Sequence, residues 1–151
     1  MPSKFRGKYF QDFSIGDEFH TPSRTITEAD IVNWSYLSGD WNPVHTDEEF
    51  AKKSEFKTRI AHGPLSLGIA TGLMDRIGII EGTALALLTL TQKFMAPVNI
   101  GDTISLKMTV SQKKETRKED RGIVTFKVNI LNQNGRIVSE GTWDLLIASK
   151  Q

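Results

Sequence analysis

After Gly82 the hydrophobic period of the chain changes from helical to alternating, and the change persists into the C-terminal residues. Leu88 and Leu90 lead to Phe94, and then Ile104, Leu106, Met108 and Val110 alternate with Thr103, Ser105, Lys107 and Thr109. Val124, Phe126, Val128 and Ile130 form another such row, and Trp143, Leu145 and Ile147 share one face of the last. Successive strand side chains point to opposite faces, so each row predicts a strand with one buried face. Asn134-Gly135 is a two-residue hairpin signal between the last two rows, which makes the C-terminal half an antiparallel meander.

The residues before Gly82 carry helix signals instead. Thr27-Glu28-Ala29-Asp30 has the form of a capping box, and Ser38-Gly39 supplies a stop, predicting a helix of about three turns that ends just before Asp40. Thr46 followed by Asp47, Glu48 and Glu49 predicts a second, short helix that starts just after His45, with Thr46 as its cap. Gly63-Pro64 opens a third, running to about Gly78 and apolar almost all round, because proline is tolerated at the first helical position. Its most apolar part, Gly63 to Met74, falls short of the roughly 20 residues that cross a bilayer and reads as a core helix. A sheet with one face to bury and a helix that needs covering on several sides predict that the sheet wraps this helix, leaving the remainder for a partner subunit. The fold class is α+β, and no repeat or linker divides residues 1–151, so a single domain is expected.

Composition removes several functions from consideration. With no cysteine there is no disulfide framework, thiol nucleophile or zinc-thiolate site. A formal charge of +1 is too balanced for a dedicated nucleic-acid binder, and the run Lys113 to Arg121 interleaves acids with its bases, as a solvated hairpin tip does. The basic start, Met1 to Phe10, is followed by Gln11-Asp12 instead of an apolar run, so no secretory signal is expected and a cytoplasmic location is the default.

Two segments hold residues suited to chemistry. Asp40 and His45 flank Trp41-Asn42-Pro43-Val44, where Pro43 stiffens the backbone and helices lie on either side. A carboxylate and an imidazole so held can polarise one water; by spacing alone, Asp40 as a turn cap and His45 as a half-buried structural histidine is the favoured account of the pattern. In Ala61-His62-Gly63-Pro64, the Gly63 N–H falls at the positive end of the third helix with no Cβ to fend off a ligand oxygen. That is an oxyanion site or simply a glycine at a helix start. His62 beside it is either structural or a substrate contact, and Thr71 offers a hydroxyl two turns along. His20 lies in an expected strand, and three scattered histidines without ligand spacing predict no metal.

The string Tyr36-Leu37-Ser38-Gly39-Asp40-Trp41-Asn42-Pro43-Val44-His45, with Ala51 beyond it, resembles the signature of the MaoC-like, R-specific enoyl-CoA hydratase family. Ile60-Ala61-His62-Gly63 and Gln92-Lys93-Phe94-Met95-Ala96-Pro97-Val98 with Gly101-Asp102 extend the resemblance over most of the chain. It implies a hotdog fold, a long helix wrapped by an antiparallel sheet, in a homodimer or dimer of dimers with the active site at the subunit interface. It further implies Asp40 and His45 as the hydratase dyad, Gly63 as the thioester-oxygen site, and Asn42, His62 and Thr71 as substrate-binding positions. The substrate would be an acyl thioester of coenzyme A or of acyl carrier protein, with no cofactor. One departure is Pro64, where many relatives have methionine, which alters the pocket wall or the direction from which the helix starts. A hotdog thioesterase and a non-catalytic acyl-binding domain are the rival readings.

Overall fold

The computed structural model describes residues 5–150, so the first four residues of the basic start, and Gln151, lie outside it. Its elements run β1 (Glu18–His20), β2 (Arg24–Thr25), α1 (Glu28–Ser38), α2 (Pro43–Thr46), α3 (Glu48–Lys53), α4 (Gly63–Arg76), β3 (Ala84–Phe94), β4 (Thr103–Glu115), β5 (Arg121–Leu131) and β6 (Ile137–Ala148). Helix α1 begins where its capping box places it: Thr27 Oγ1 accepts from the Asp30 N–H and Asp30 Oδ2 accepts from the Thr27 N–H. It ends at Gly39, whose φ of 78° is a left-handed conformation that glycine adopts without a Cβ clash.

The second helix differs from its expectation. Pro43 at the first helical position and Asn42 as N-cap build an extra turn, α2, so His45 sits inside a helix instead of before one. The cap of α3 is Asp47, whose side chain accepts from the Phe50 N–H at 3.0 Å, and not Thr46. Thr46 is unavailable because its hydroxyl donates back to the Trp41 and Asn42 carbonyls. Arg59 then ties the helices together, its guanidinium 2.6 Å from Glu28 on α1 and 2.9 Å from Glu48 on α3.

The strands form an antiparallel sheet in the order β1-β4-β5-β6-β3, with β2 also paired to β4. The meander β4-β5-β6 follows the sequence, but β5 and β6 are joined by five residues, 132–136, and not by a tight two-residue turn. Asn132 organises that loop, its Oδ1 accepting from the Asn134 and Arg136 N–H groups. Ile104, Leu106, Met108, Val110, Val124, Phe126, Val128, Ile130, Trp143, Leu145 and Ile147 are all buried, as their alternation predicts. Against them α4 lays Leu65, Ala70, Leu73 and Met74, which is the long helix against an antiparallel sheet that the sequence implies.

Two surfaces depart from expectation. The opposite stripe of α4, Gly68, Thr71, Gly72 and Asp75, stays exposed although the helix is apolar almost throughout. Strand β3 has no well-buried face: Leu85, Leu87, Leu88 and Phe94 are each about half exposed. It lies at the sheet edge, where only Leu90 and Gln92 of the strand are half-buried among the described residues. Among the described residues no helix is long and apolar enough to cross a membrane.

Candidate active site

The short helices α1, α2 and α3 bring Asp40 and His45 beside the start of α4. Asp40 follows the left-handed Gly39, its N–H donating to Ser38 Oγ at 3.1 Å and its Oδ1 accepting from the Asn42 N–H at 3.1 Å. These local bonds aim an otherwise exposed carboxylate. Asn42, expected to meet substrate, uses its side-chain oxygen to cap α2 through the Val44 N–H at 3.3 Å.

His45, half-buried on α2, has its Nδ1 2.7 Å from the Ile60 carbonyl oxygen. A carbonyl only accepts, so Nδ1 carries the proton and neutral His45 presents a lone pair at Nε2. The carbonyl comes from the extended residues 60–62, which are themselves fastened: the Ala61 N–H donates to the Val98 carbonyl at 2.8 Å and the Ile60 N–H to the Val44 carbonyl at 3.3 Å.

His62 is 1% exposed. Its Nε2 lies 3.1 Å from the Asp40 backbone oxygen and 3.4 Å from Ser35 Oγ, and its ring stacks on His45 with centroids 3.8 Å apart and planes 28° apart. Burial holds the His62 pKa below the ordinary imidazole value, outweighing its bond to Asp40, and the neighbouring His45 charge acts in the same direction.

Side-chain ligand atoms of Asp40, His45 and His62 therefore lie within 4.8 Å of one another, a grouping that sequence spacing did not reveal. Its geometry suits proton chemistry better than metal binding. One nitrogen of each ring is already engaged, His45 Nδ1 by the Ile60 carbonyl and His62 Nε2 by the Asp40 carbonyl.

Gly63 heads α4 with no side chain capping the helix. The leading N–H groups of a helix lack carbonyl partners and lie at its positive end, so this is where an anionic oxygen is best received. A cavity of about 440 Å³ begins here, lined by Gly63, Pro64, Ser66, Phe94, Met95 and Ser139 among others. Pro64, the departure from the family pattern, is thus part of its wall.

Thr71 is not brought to this group. It lies on the exposed stripe of α4, about 12 Å along the helix from Gly63 at 1.5 Å per residue, and its hydroxyl donates to the Gly68 carbonyl at 2.7 Å. His20 lies on β1 and pairs with Glu18 instead. The sequence reading missed Ser35, although burial at Ile31 and Ser35 follows helical spacing; it also missed the Ile60 carbonyl, a backbone group with no side-chain signal.

Residues 11–130 match the family model described as MaoC like domain. The chain belongs to the MaoC-like domain family. Relatives of this MaoC-like protein include the (R)-specific enoyl-CoA hydratase of Rhodospirillum rubrum, 34% identical over 94% of the chain and 93% of the relative. The 3-hydroxybutyryl-CoA dehydratase of Methylorubrum extorquens is 31% identical, over 85% and 80%. Among solved structures, an Archaeoglobus protein described as a monoamine oxidase regulatory protein superposes with a TM-score of 0.89 at 36% identity, covering 96% of this chain and 97% of that one. A Mycobacterium tuberculosis protein with a double hotdog fold superposes at 0.82 with 18% identity, over 95% of this chain and 45% of that one, a likeness of fold. The MaoC-like chain has the hotdog fold.

Proposed function

We propose that this protein is an R-specific enoyl-CoA hydratase, reversibly adding water across the double bond of a trans-2-enoyl thioester, with Asp40 and His45 as its acid-base dyad. By family it is a hydro-lyase. The observation that carries the finer reading is the placement of the Asp40 carboxylate and the His45 imidazole beside the uncapped helix start at Gly63.

A water held between the Asp40 carboxylate and His45 Nε2 gives up a proton to the dyad as its oxygen attacks C3 of the enoyl group. Electron density moves through the conjugated system onto the thioester oxygen, giving an enolate-like state. The Gly63 N–H and the α4 dipole stabilise that developing charge more than they stabilise the ground-state carbonyl, which lowers the barrier. The dyad delivers a proton to C2 from the same face, which returns it to its starting charge, completes a syn addition and yields the R-3-hydroxyacyl thioester. The names of the relatives support coenzyme A as the carrier.

The same reading includes a homodimer. An edge strand of 11 residues, paired to β6 on one side and to no strand on the other among the described residues, with half-exposed leucines, is a liability in solution unless another strand covers it. A second copy supplies a self-complementary partner through a two-fold axis.

Supplying crotonyl-CoA and longer trans-2-enoyl-CoAs while following loss of the conjugated alkene tests the activity, and chiral analysis of the product tests its handedness. Alkene loss giving the R product is expected. An S product, release of free thiol without hydration, or no turnover at any chain length overturns the reading.

A further inference from the structure

We propose that His62 is a positioning residue for the dyad: its Nε2–H holds the Asp40 backbone, its ring face holds the His45 imidazole, and it does not touch the reacting atoms. The inference rests on the reading of Asp40 and His45 as the dyad.

Hydrogen-bond polarity fixes one half of the argument. The Asp40 carbonyl 3.1 Å from His62 Nε2 can only accept, so the proton sits on Nε2. Nδ1 is then left with a lone pair, buried and without a hydrogen-bond partner among the described residues. A proton at Nδ1 would create a second N–H with no acceptor on a ring that burial already disfavours charging. His62 is therefore a neutral ring of one tautomer, suited to holding neighbours and unsuited to exchanging protons with a substrate.

Shape supplies the other half. His45 is fixed at its Nδ1 edge by the Ile60 carbonyl, which leaves the ring free to rock about that bond. The His62 face, 3.8 Å away, blocks rocking to one side and sets the plane in which Nε2 points. At 1% exposure, His62 keeps almost no surface for a substrate to meet.

Ile60, His62 and Gly63 thus act in sequence along one short stretch. Ile60 orients His45, His62 holds Asp40 and His45, and Gly63 offers the N–H for the thioester oxygen, while Ala61 between them is bonded to Val98. The chain places acid, base and oxyanion donor in one frame by running four consecutive residues past them, and His62 is the member whose side chain makes the connection.

Three variants separate the two contacts. His62→Gln keeps an N–H at the Nε2 position and loses the ring face; His62→Phe keeps the ring and loses the donor; His62→Ala loses both. With crotonyl-CoA, His62→Ala is expected to lower kcat on the order of 10²-fold, the scale of an ångström-sized misplacement, while KM stays nearly unchanged. His62→Gln and His62→Phe should each recover part of that loss. In the unsubstituted protein, nitrogen-15 NMR of the histidine rings should show His62 as the neutral Nε2–H tautomer and His45, when neutral, as the Nδ1–H tautomer. In His62→Ala the His45 ring, when neutral, should keep the Nδ1–H tautomer, because the Ile60 carbonyl sets it.

Unchanged kcat in folded variants overturns the proposal, as does a raised KM with kcat intact, which would make His62 a substrate contact. A cationic or Nδ1-protonated His62 at neutral pH in the unsubstituted protein overturns it even if no variant folds. Asp40→Asn, measured alongside, separates the two levels. If it is inactive while the His62 variants are fully active, only the positioning role fails; if it turns over normally, the dyad and this inference fail together.

Discussion

Phe94 closes directly against Gly63: a Cβ on residue 63 would lie 3.0 Å from Phe94 Cζ and barely farther from the two neighbouring ring carbons. The end of edge strand β3 therefore packs on the head of α4, at the N–H proposed to receive the thioester oxygen. Because the Phe94 ring is about half exposed, it can yield to an added methyl group. Gly63→Ala should thus fold normally but lose rate on the order of 10²-fold through misplacement of the thioester. Comparing its melting temperature with its kcat on crotonyl-CoA checks this, and a parallel collapse of both would place the role of Gly63 in stability instead.

Asp40→Asn and His45→Gln should each lower hydration by about 10²- to 10⁴-fold, the range for loss of a general acid or base. Asp40 is exposed and His45 only half-buried, so both variants should keep a native circular dichroism spectrum. Near-normal turnover by either one would remove that residue from the dyad.

Thr71→Ala should change the rate less than either dyad substitution. Its hydroxyl bonds back to the Gly68 carbonyl on the exposed stripe of α4 and joins no contact with Asp40, His45 or His62. Steady-state kinetics on short and long enoyl-CoAs would expose a substrate-binding role as a KM change confined to one chain length.

Stability should decline as pH falls below the ordinary imidazole value of 6.5, because the folded His62 has a lowered pKa. The unfolded chain then takes up a proton before the folded one does, so the stabilisation is complete above 6.5 and is lost as pH falls through the lower folded value. Melting temperatures measured from about pH 7.5 to about pH 5.5 should fall more steeply for the unsubstituted protein than for His62→Gln. Equal slopes would show that His62 is not the group responsible.

Leu87→Lys should convert a dimer, or a dimer of dimers, into smaller species. Leu87 is 51% exposed on β3, and a two-fold pairing of that edge would bring two added charges together. Sedimentation of both proteins decides the point; a monomeric unsubstituted chain would dispose of the proposed interface.

Much of the fold was legible because its signals are local. The Thr27 cap, the left-handed Gly39, Pro64 in the first turn of α4 and the alternating rows of β4, β5 and β6 each depend on residues a few positions apart. The reading of Thr46 as a cap failed through competition: the turn started by Pro43 placed the Trp41 and Asn42 carbonyls within reach of its hydroxyl, and the neighbouring Asp47 took the cap. Strand β3 failed differently. Its apolar residues do mark a strand, but whether either face is covered depends on its place at the sheet edge.

The chain by itself determined the element types, the core faces of the meander and the candidate residues Asp40, His45 and Gly63, because hydrophobic period, capping and turn chemistry act over one or two turns of chain. Only the tertiary structure decided that His62, 17 residues after His45, stacks on its ring and bonds the Asp40 backbone, that Asn42 serves as a cap and that the Thr71 hydroxyl donates to the Gly68 carbonyl on the exposed stripe of α4. Those contacts arise where the extended residues 60–62 are fastened to Val44 and Val98, and a hydrogen bond between distant segments leaves no periodic trace in either of them.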